Sequence, residues 1–374
     1  MARTLKSDKM LFWAALLLVC TSVVMVYSAS AVQADTTDRA SYHLLIRQLV
    51  WAALGLGLML VVMKVDYHML RRPVVIWTLL GITVVALLAV FLFTARKGTM
   101  RWITIGSLSW QPSELAKVVA VIFTAALLER RMHRVNELGY TIVPIGAVTL
   151  LLAGLIVCQP DFGTATVLTA VVTTLMFSAG LSYRYLAGVA MLLLPTAILL
   201  VLGSAYRRRR LDAFLDPWAQ QLGAGFQVVQ SMIAVGSGGL FGRGLMAGVQ
   251  KVFYLPEPHN DFIFAVIGEE FGLAGTTFTL VAFGMIAWRG LRTSLLAPDR
   301  FGSLLALGLT MMVVLQALVN MSVVVNLLPT KGIPLPLVSN GGSSLVVTLA
   351  AMGILMNISQ QASATAAAAI EARE

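Results

Sequence analysis

Apolar stretches of close to 20 residues recur along this chain, at about 10–29, 44–63, 73–94, 113–128, 140–158, 164–180, 185–203, 271–288, 302–326 and 343–358. A helix needs about 20 apolar residues to cross a bilayer, and it satisfies its own backbone hydrogen bonds there. A chain built this way cannot fold round one aqueous core. Only 12% of its residues are charged and 58% are hydrophobic, whereas soluble domains carry about 25% charged residues. The expected fold class is an all-α polytopic membrane protein of about ten transmembrane helices, with a large extracytoplasmic loop between the seventh and eighth. One transmembrane domain covers 1–358, and the low-complexity end, 359–374, is expected to be a disordered cytoplasmic tail.

Charge sets the orientation. Arg3, Lys6 and Lys9 precede an apolar run that exceeds the ~7–15 residues of a signal-peptide core. A retained first span is expected, with its basic end in the cytoplasm. Lys64, Arg71, Arg72, Arg130, Arg131, Arg134, Arg184, Arg289, Arg292 and Arg300 then fall in cytoplasmic loops, as the positive-inside tendency requires. An even span number returns the C-terminus to the cytoplasm. The net charge of +10 is accounted for this way. With no zinc-type Cys/His spacing and no basic tail, nucleic-acid binding is excluded. Cys20 and Cys158 each sit inside an apolar run and read as small core residues, not a disulfide framework.

Two basic segments break the rule. Arg96, Lys97 and Arg101 lie outside, as do Arg207 to Arg210, Arg243 and Lys251 in the loop at about 204–271. An anionic ligand on the outer face would account for them. So would lipid headgroups, or the tolerance of long loops for charge. The piece at 226–234 in this loop is apolar enough to form a short helix lying on the membrane.

The densest polar island is 252–270, which holds Glu257, His259, Asp261, Glu269 and Glu270 between apolar runs. Ionisable groups near a bilayer are functional candidates. Pro256 and Pro258 favour extended backbone. Alternate residues of an extended chain face one way, so Glu257, His259 and Asp261 can converge. Three jobs suit them: a divalent-cation site, general-base catalysis by Asp261 with His259 orienting it or the substrate, or a cap from Asn260 or Asp261 for the following helix. Of the adjacent Glu269 and Glu270, at most one faces the same pocket, and exposure at the membrane boundary is expected for the other.

Two further segments stand out. At 328–344 three prolines and three glycines interrupt the helical pattern, ending in Ser339, Asn340, Gly341, Gly342, Ser343 and Ser344 at the head of the last span. Open N–H groups at a helix N-terminus suit phosphate, and Lys331 adds charge. From the residues alone, a re-entrant turn with glycines for close helix packing is the preferred reading. At 101–117, Pro112 and Ser113 suit a helix start, and Glu114 and Lys117 can pair at i,i+3. Asp161 is placed to cap the sixth span.

These segments together resemble the FtsW/RodA/SpoVE family of cell-shape, division and sporulation proteins, across essentially the whole chain. The carriers are Arg101-Trp-Ile with Gln111-Pro-Ser-Glu-Leu-Ala-Lys117, Gln159-Pro-Asp-Phe-Gly163, Gly225-Phe-Gln-Val-Val-Gln-Ser231, Leu255-Pro-Glu-Pro-His-Asn-Asp-Phe-Ile-Phe264 and Gly332 through Ser344. The resemblance implies a peptidoglycan glycosyltransferase of ten spans that polymerises lipid II, a disaccharide-peptide on undecaprenyl pyrophosphate. The partner implied is a class B penicillin-binding protein, with other divisome proteins and membrane lipids around it, in the cytoplasmic membrane at the septum. The essential acid falls on Asp261. Arg101, Arg207, Arg210, Lys251 and Lys331 become clamps for the pyrophosphate, Glu257 and His259 supporting groups, and Ser339, Gly341, Gly342 and Ser343 substrate contacts. A divalent cation (Mg or Mn) is an optional helper, with no ligand set assigned. Gln250 to Glu257, Ile267 to Glu270 and Phe214 to Trp218 look more like the division branch than the elongation branch. Asn260 and Asn340 depart from the family's usual Thr and Tyr. A lipid II flippase and a silent scaffold for the transpeptidase are the rival readings.

Overall fold

Each expected apolar run folds as helix, because in a low-charge chain the backbone has few other hydrogen-bond partners. The computed structural model describes residues 8–34, 42–93, 100–105, 108–203, 205–252, 254–255 and 258–371. In chain order come α1 (Lys9–Ala34), α2 (Tyr42–Val62), α3 (Pro73–Ala89), a hairpin of β1 (Ile103–Ile105) and β2 (Leu108–Trp110), then α4 (Pro112–Arg131), α5 (Val143–Cys158), α6 (Phe162–Ser178) and α7 (Tyr183–Leu202). They are followed by α8 (Ala205–Leu215), α9 (Phe226–Ser237), α10 (Ile263–Leu296), α11 (Arg300–Val324) and α12 (Gly342–Glu371). The protein is a multi-pass, all-α membrane protein. Seven of its described helices (α1, α2, α3, α5 with the turn before it, α10, α11 and α12) are long and apolar enough to cross a bilayer. The runs at 113–128, 164–180 and 185–203 form α4, α6 and α7, outside that set. α6 has only 17 residues, and α4 carries Glu114, Lys117, Glu129, Arg130 and Arg131.

Local chemistry sets the helix ends. Pro73 and Pro112 occupy first helical positions, where the missing N–H costs nothing. Asp161 accepts from the Thr164 amide to cap α6, and Asp299 accepts from Gly302 to cap α11. The end expected to be disordered is instead helix through Glu371. Its alanine run explains this, since alanine is the best helix former.

α4 is buried along nearly its whole length, and α11 and α12 are mostly buried too. α12 packs along α2, and α10 against α1 and α11. Outer faces are apolar: Val74, Trp77 and Val85 on α3 are more than half exposed, as a lipid-facing helix requires. The connection before α10 is not structureless. α8 and α9 form within it, and α9 packs on α10 and α11. The Ser231 hydroxyl of α9 donates to the carbonyl of Val324 in α11.

α10 is broken at Gly272, whose φ of 62° and ψ of −152° no other residue tolerates well. A break strands amides and carbonyls. The loop after α9 takes them up: Leu273 and Ala274 donate to Gly239 and Leu240, while Arg243 and Gly244 donate to Glu269 and Glu270 carbonyls. The result is a nine-residue arm, 263–271, leading into a longer helix that continues to Leu296.

Candidate active site

The polar segments converge at one end of the bundle. A cavity of about 280 Å³ is lined by Arg47, Arg101, Trp102, Ser109 and Gln111, and by His259, Asn260, Asp261, Gly332, Pro334 and Asn340 to Gly342. Four elements build it: α2, the hairpin, the turn before α10 and the turn before α12. Prolines and glycines keep the last two from becoming helix, so their backbones can meet.

They meet through hydrogen bonds. The side-chain amide of Asn320, on α11, donates to the carbonyls of Asp261 and Ile333, both at 2.8 Å. The Asn340 amide donates to the His259 carbonyl at 2.9 Å. The Ser339 hydroxyl donates to the Asn260 carbonyl at 2.6 Å and accepts from the Leu335 amide at 2.8 Å. Gln316 donates to the Pro334 carbonyl at 3.0 Å. Asp261 is thus held through its backbone, while its half-buried carboxylate lines the cavity.

Two arginines also line the cavity. Arg101 donates through Nε to the Gln159 carbonyl at 3.2 Å and through a terminal nitrogen to the Pro160 carbonyl, and stands 3.9 Å from Asp161. Arg47 projects from α2 and donates to the Ser109 hydroxyl at 2.8 Å, bracing the hairpin. Behind them Asp161 is buried, accepting from Gln111 as well as Thr164. Lys331 lies within reach of its charge. Burial holds the Lys331 ammonium below the ordinary lysine range, and Asp161 pulls it part of the way back.

Several expected site residues lie elsewhere. Lys251 does not reach the cavity: it is 1% exposed and donates to Glu270 at 2.5 Å and to Ser28 of α1 at 2.8 Å. A buried ammonium needs a buried partner, and Glu270 supplies it. Neither Glu269 nor Glu270 is exposed, contrary to expectation. Glu269 accepts from the Val249 and Gln250 amides. Arg210, on α8, donates to the Thr330 carbonyl at 3.1 Å, beside Lys331 but not lining the cavity. Arg207 falls in α8, but its side chain, like all of Glu257, lies outside the described residues. Ser339 shapes the turn, as its bonds show, and Ser343 accepts from the Gln111 amide. Gly341 and Gly342 do line the cavity. Gly342 also admits Trp51, since a Cβ there would stand 2.3 Å from the indole. Arg47, which lines the cavity, and Asn320, which ties its two turns together, are the residues the sequence reading passes over. For Arg47 a signal existed: an arginine within an apolar run.

The chain and its fold have known counterparts. The profile of the FtsW/RodA/SpoVE cell cycle proteins matches residues 8–364. The chain belongs to the FtsW/RodA/SpoVE family. It is 41% identical over 361 residues to a probable peptidoglycan glycosyltransferase FtsW of Geobacter metallireducens, covering 96% of each chain. It is similar to a chain of a solved peptidoglycan synthase complex that coordinates polymerization and crosslinking (30% identity, TM-score 0.78, 96% of this chain and 99% of that one). It is similar also to the rod shape determining protein RodA of Thermus thermophilus (27% identity, TM-score 0.71, 96% and 98%).

Proposed function

We propose that this family member is a peptidoglycan glycosyltransferase that polymerises lipid II on the outer face of the cytoplasmic membrane. The observation that carries the reading is that Asp261 and two arginines, Arg47 and Arg101, line one cavity. A carboxylate and cations in one cavity suit a reaction in which a hydroxyl is deprotonated while an anion departs. Asp261 takes the proton from the acceptor sugar's 4-hydroxyl. The oxygen attacks the donor's anomeric carbon in line, the bond from that carbon to undecaprenyl pyrophosphate breaks, and the configuration inverts. The positive wall meets the charge that grows on the leaving group. Lys331 and the N-terminus of α12 add to that wall at longer range.

A divalent cation would need several oxygen or imidazole donors together. Among the described residues no three His, Cys, Asp or Glu side chains cluster for one. Asp261 and His259 are the described side chains at the cavity that could help hold one, with substrate oxygens and water completing its shell, and an ion held there would help neutralise the pyrophosphate.

The similarity to a chain of a synthase complex supports a class B penicillin-binding protein as partner; the division-type motifs support action at the septum, and the basic residues of the loops support both termini in the cytoplasm. The test is polymerisation of labelled lipid II by the purified protein with its transpeptidase. Wild type is expected to make glycan strands and Asp261→Ala none. Equal polymer from both, or none from wild type, sinks the reading.

A further inference from the structure

The buried ion pair between Lys251 and Glu270 takes no part in the chemistry above, yet burying two charges is costly. Its position suggests what it does. Glu270 is the next-to-last residue of the short arm 263–271, two positions before the break at Gly272. The arm's first residue, Ile263, follows Asp261 by two. A helical arm cut from its continuation by a residue at positive φ has a natural pivot. Its tilt decides where Asp261 stands.

Three contacts set that tilt. Glu270 accepts from the Ser28 hydroxyl, at 2.6 and 2.8 Å to its two oxygens, which ties the arm to α1. Lys251 donates to both Glu270 and Ser28, which ties the loop to the same point. Glu269 accepts from the Val249 and Gln250 amides one residue earlier. The packing leaves no slack: a Cβ on Gly248 would stand 2.9 Å from Glu269 Oε2 and 3.2 Å from Glu270 Oε1. The loop from Val249 to Asp261 is therefore fastened at its start to the far end of the arm. It is fastened at its finish to the turn before α12, through Ser339, Asn340 and Asn320.

We propose that Lys251 is a positioning residue, whose pair with Glu270 and Ser28 locks the pivoting arm at the tilt that aims Asp261 into the cavity. The inference rests on the glycosyltransferase reading. Misplacing a reacting group by about 1 Å costs on the order of 100-fold in rate. Arg47 and Arg101, which are held by Ser109, Gln159 and Pro160 and not by the arm, stay in place.

The test is steady-state polymerisation of lipid II by the complex with its transpeptidase, with thermal melting followed in parallel. Lys251→Met alone strands a buried carboxylate, so the informative variant is Lys251→Met with Glu270→Gln, which removes both charges and keeps the volume. Its kcat is expected to fall about 100-fold with KM unchanged. Ser28→Ala, which keeps the ion pair, is expected to lower kcat several-fold without shifting the melting temperature. Wild-type kcat in both variants, or a loss confined to KM, overturns the proposal. So does a kcat loss in Ser28→Ala only in step with melting. Asp261→Asn in the same assay separates the two readings: if it polymerises like wild type, the base assignment fails whatever Lys251 does.

Discussion

Gly332 lies against the carboxylate of Asp261: a Cβ built at residue 332 would stand 2.9 Å from Oδ2. No real methyl sits that close, so the two cannot coexist unchanged. The atom in the way is the end of a side chain, which can turn aside at little cost to the fold. Gly332→Ala is therefore expected to melt close to wild type while kcat falls on the order of 100-fold, because the acid is displaced from its line to the acceptor hydroxyl. Full activity in a folded Gly332→Ala protein would show that the position of the carboxylate is not critical.

Arg47 and Arg101 face the same space from different elements, α2 and the segment before the hairpin. If they hold the pyrophosphate, each contributes one charge-assisted contact of about 1.5–3 kcal/mol. Arg47→Ala is expected to lower kcat/KM about 10- to 100-fold. Arg47→Lys is expected to recover only part, since an ammonium cannot make a forked contact with phosphate and with Ser109 at once. Titration with undecaprenyl pyrophosphate as product inhibitor checks this: its inhibition constant should rise in both variants and most in Arg47→Ala.

Lys331 offers a test by pH. Burial lowers its pKa, so its positive charge is lost at a lower pH than that of an ordinary lysine. The charged form is the one that favours the leaving group. Activity that depends on it is present at low pH and falls as pH rises through that lowered pKa. Lys331→Arg stays charged throughout, so the alkaline limb of the kcat/KM profile is expected to move to higher pH. A limb that does not move would assign the alkaline loss to another group.

What the chain reveals before folding follows from which interactions are local. Apolar runs mark helices because 20 residues of one character need no partner to be read, and all ten became helix. The cavity's acid was legible because it stands in a dense run of polar residues and prolines between apolar stretches, although residues 258–262 fold as turn and not as the extended backbone expected. Lys251 was misplaced for the opposite reason. Its partners sit 19 and 223 residues away, and nothing local separates a lysine that meets a ligand from one that meets a glutamate. The hairpin was invisible too, since two three-residue strands carry no periodicity. Asn320 looks like one polar residue in a long apolar helix, and only the approach of two turns makes it the bridge between them.

The pair of Glu114 and Lys117 gives the last expectation, on stability. Both are buried in the first turns of α4, 3.0 Å apart. The pair is not isolated. Lys117 also donates to Gln316 of α11, and Ser344 of α12 donates to Glu114 at 2.9 Å. Three central helices therefore share one polar knot directly behind the cavity, where Ser344 is also part of the wall. Removing one partner leaves a buried charge uncompensated, at a cost of about 3–5 kcal/mol. Lys117→Met is thus expected to lower the melting temperature sharply and to abolish activity with it. Lys117→Met with Glu114→Gln removes both charges and is expected to regain most of the stability, because the desolvation cost disappears along with the attraction. Melting of the single and double variants in lipid nanodiscs decides the matter. If the double variant is no more stable than the single, the knot's value lies in its hydrogen bonds to Gln316 and Ser344 and not in the compensation of charge.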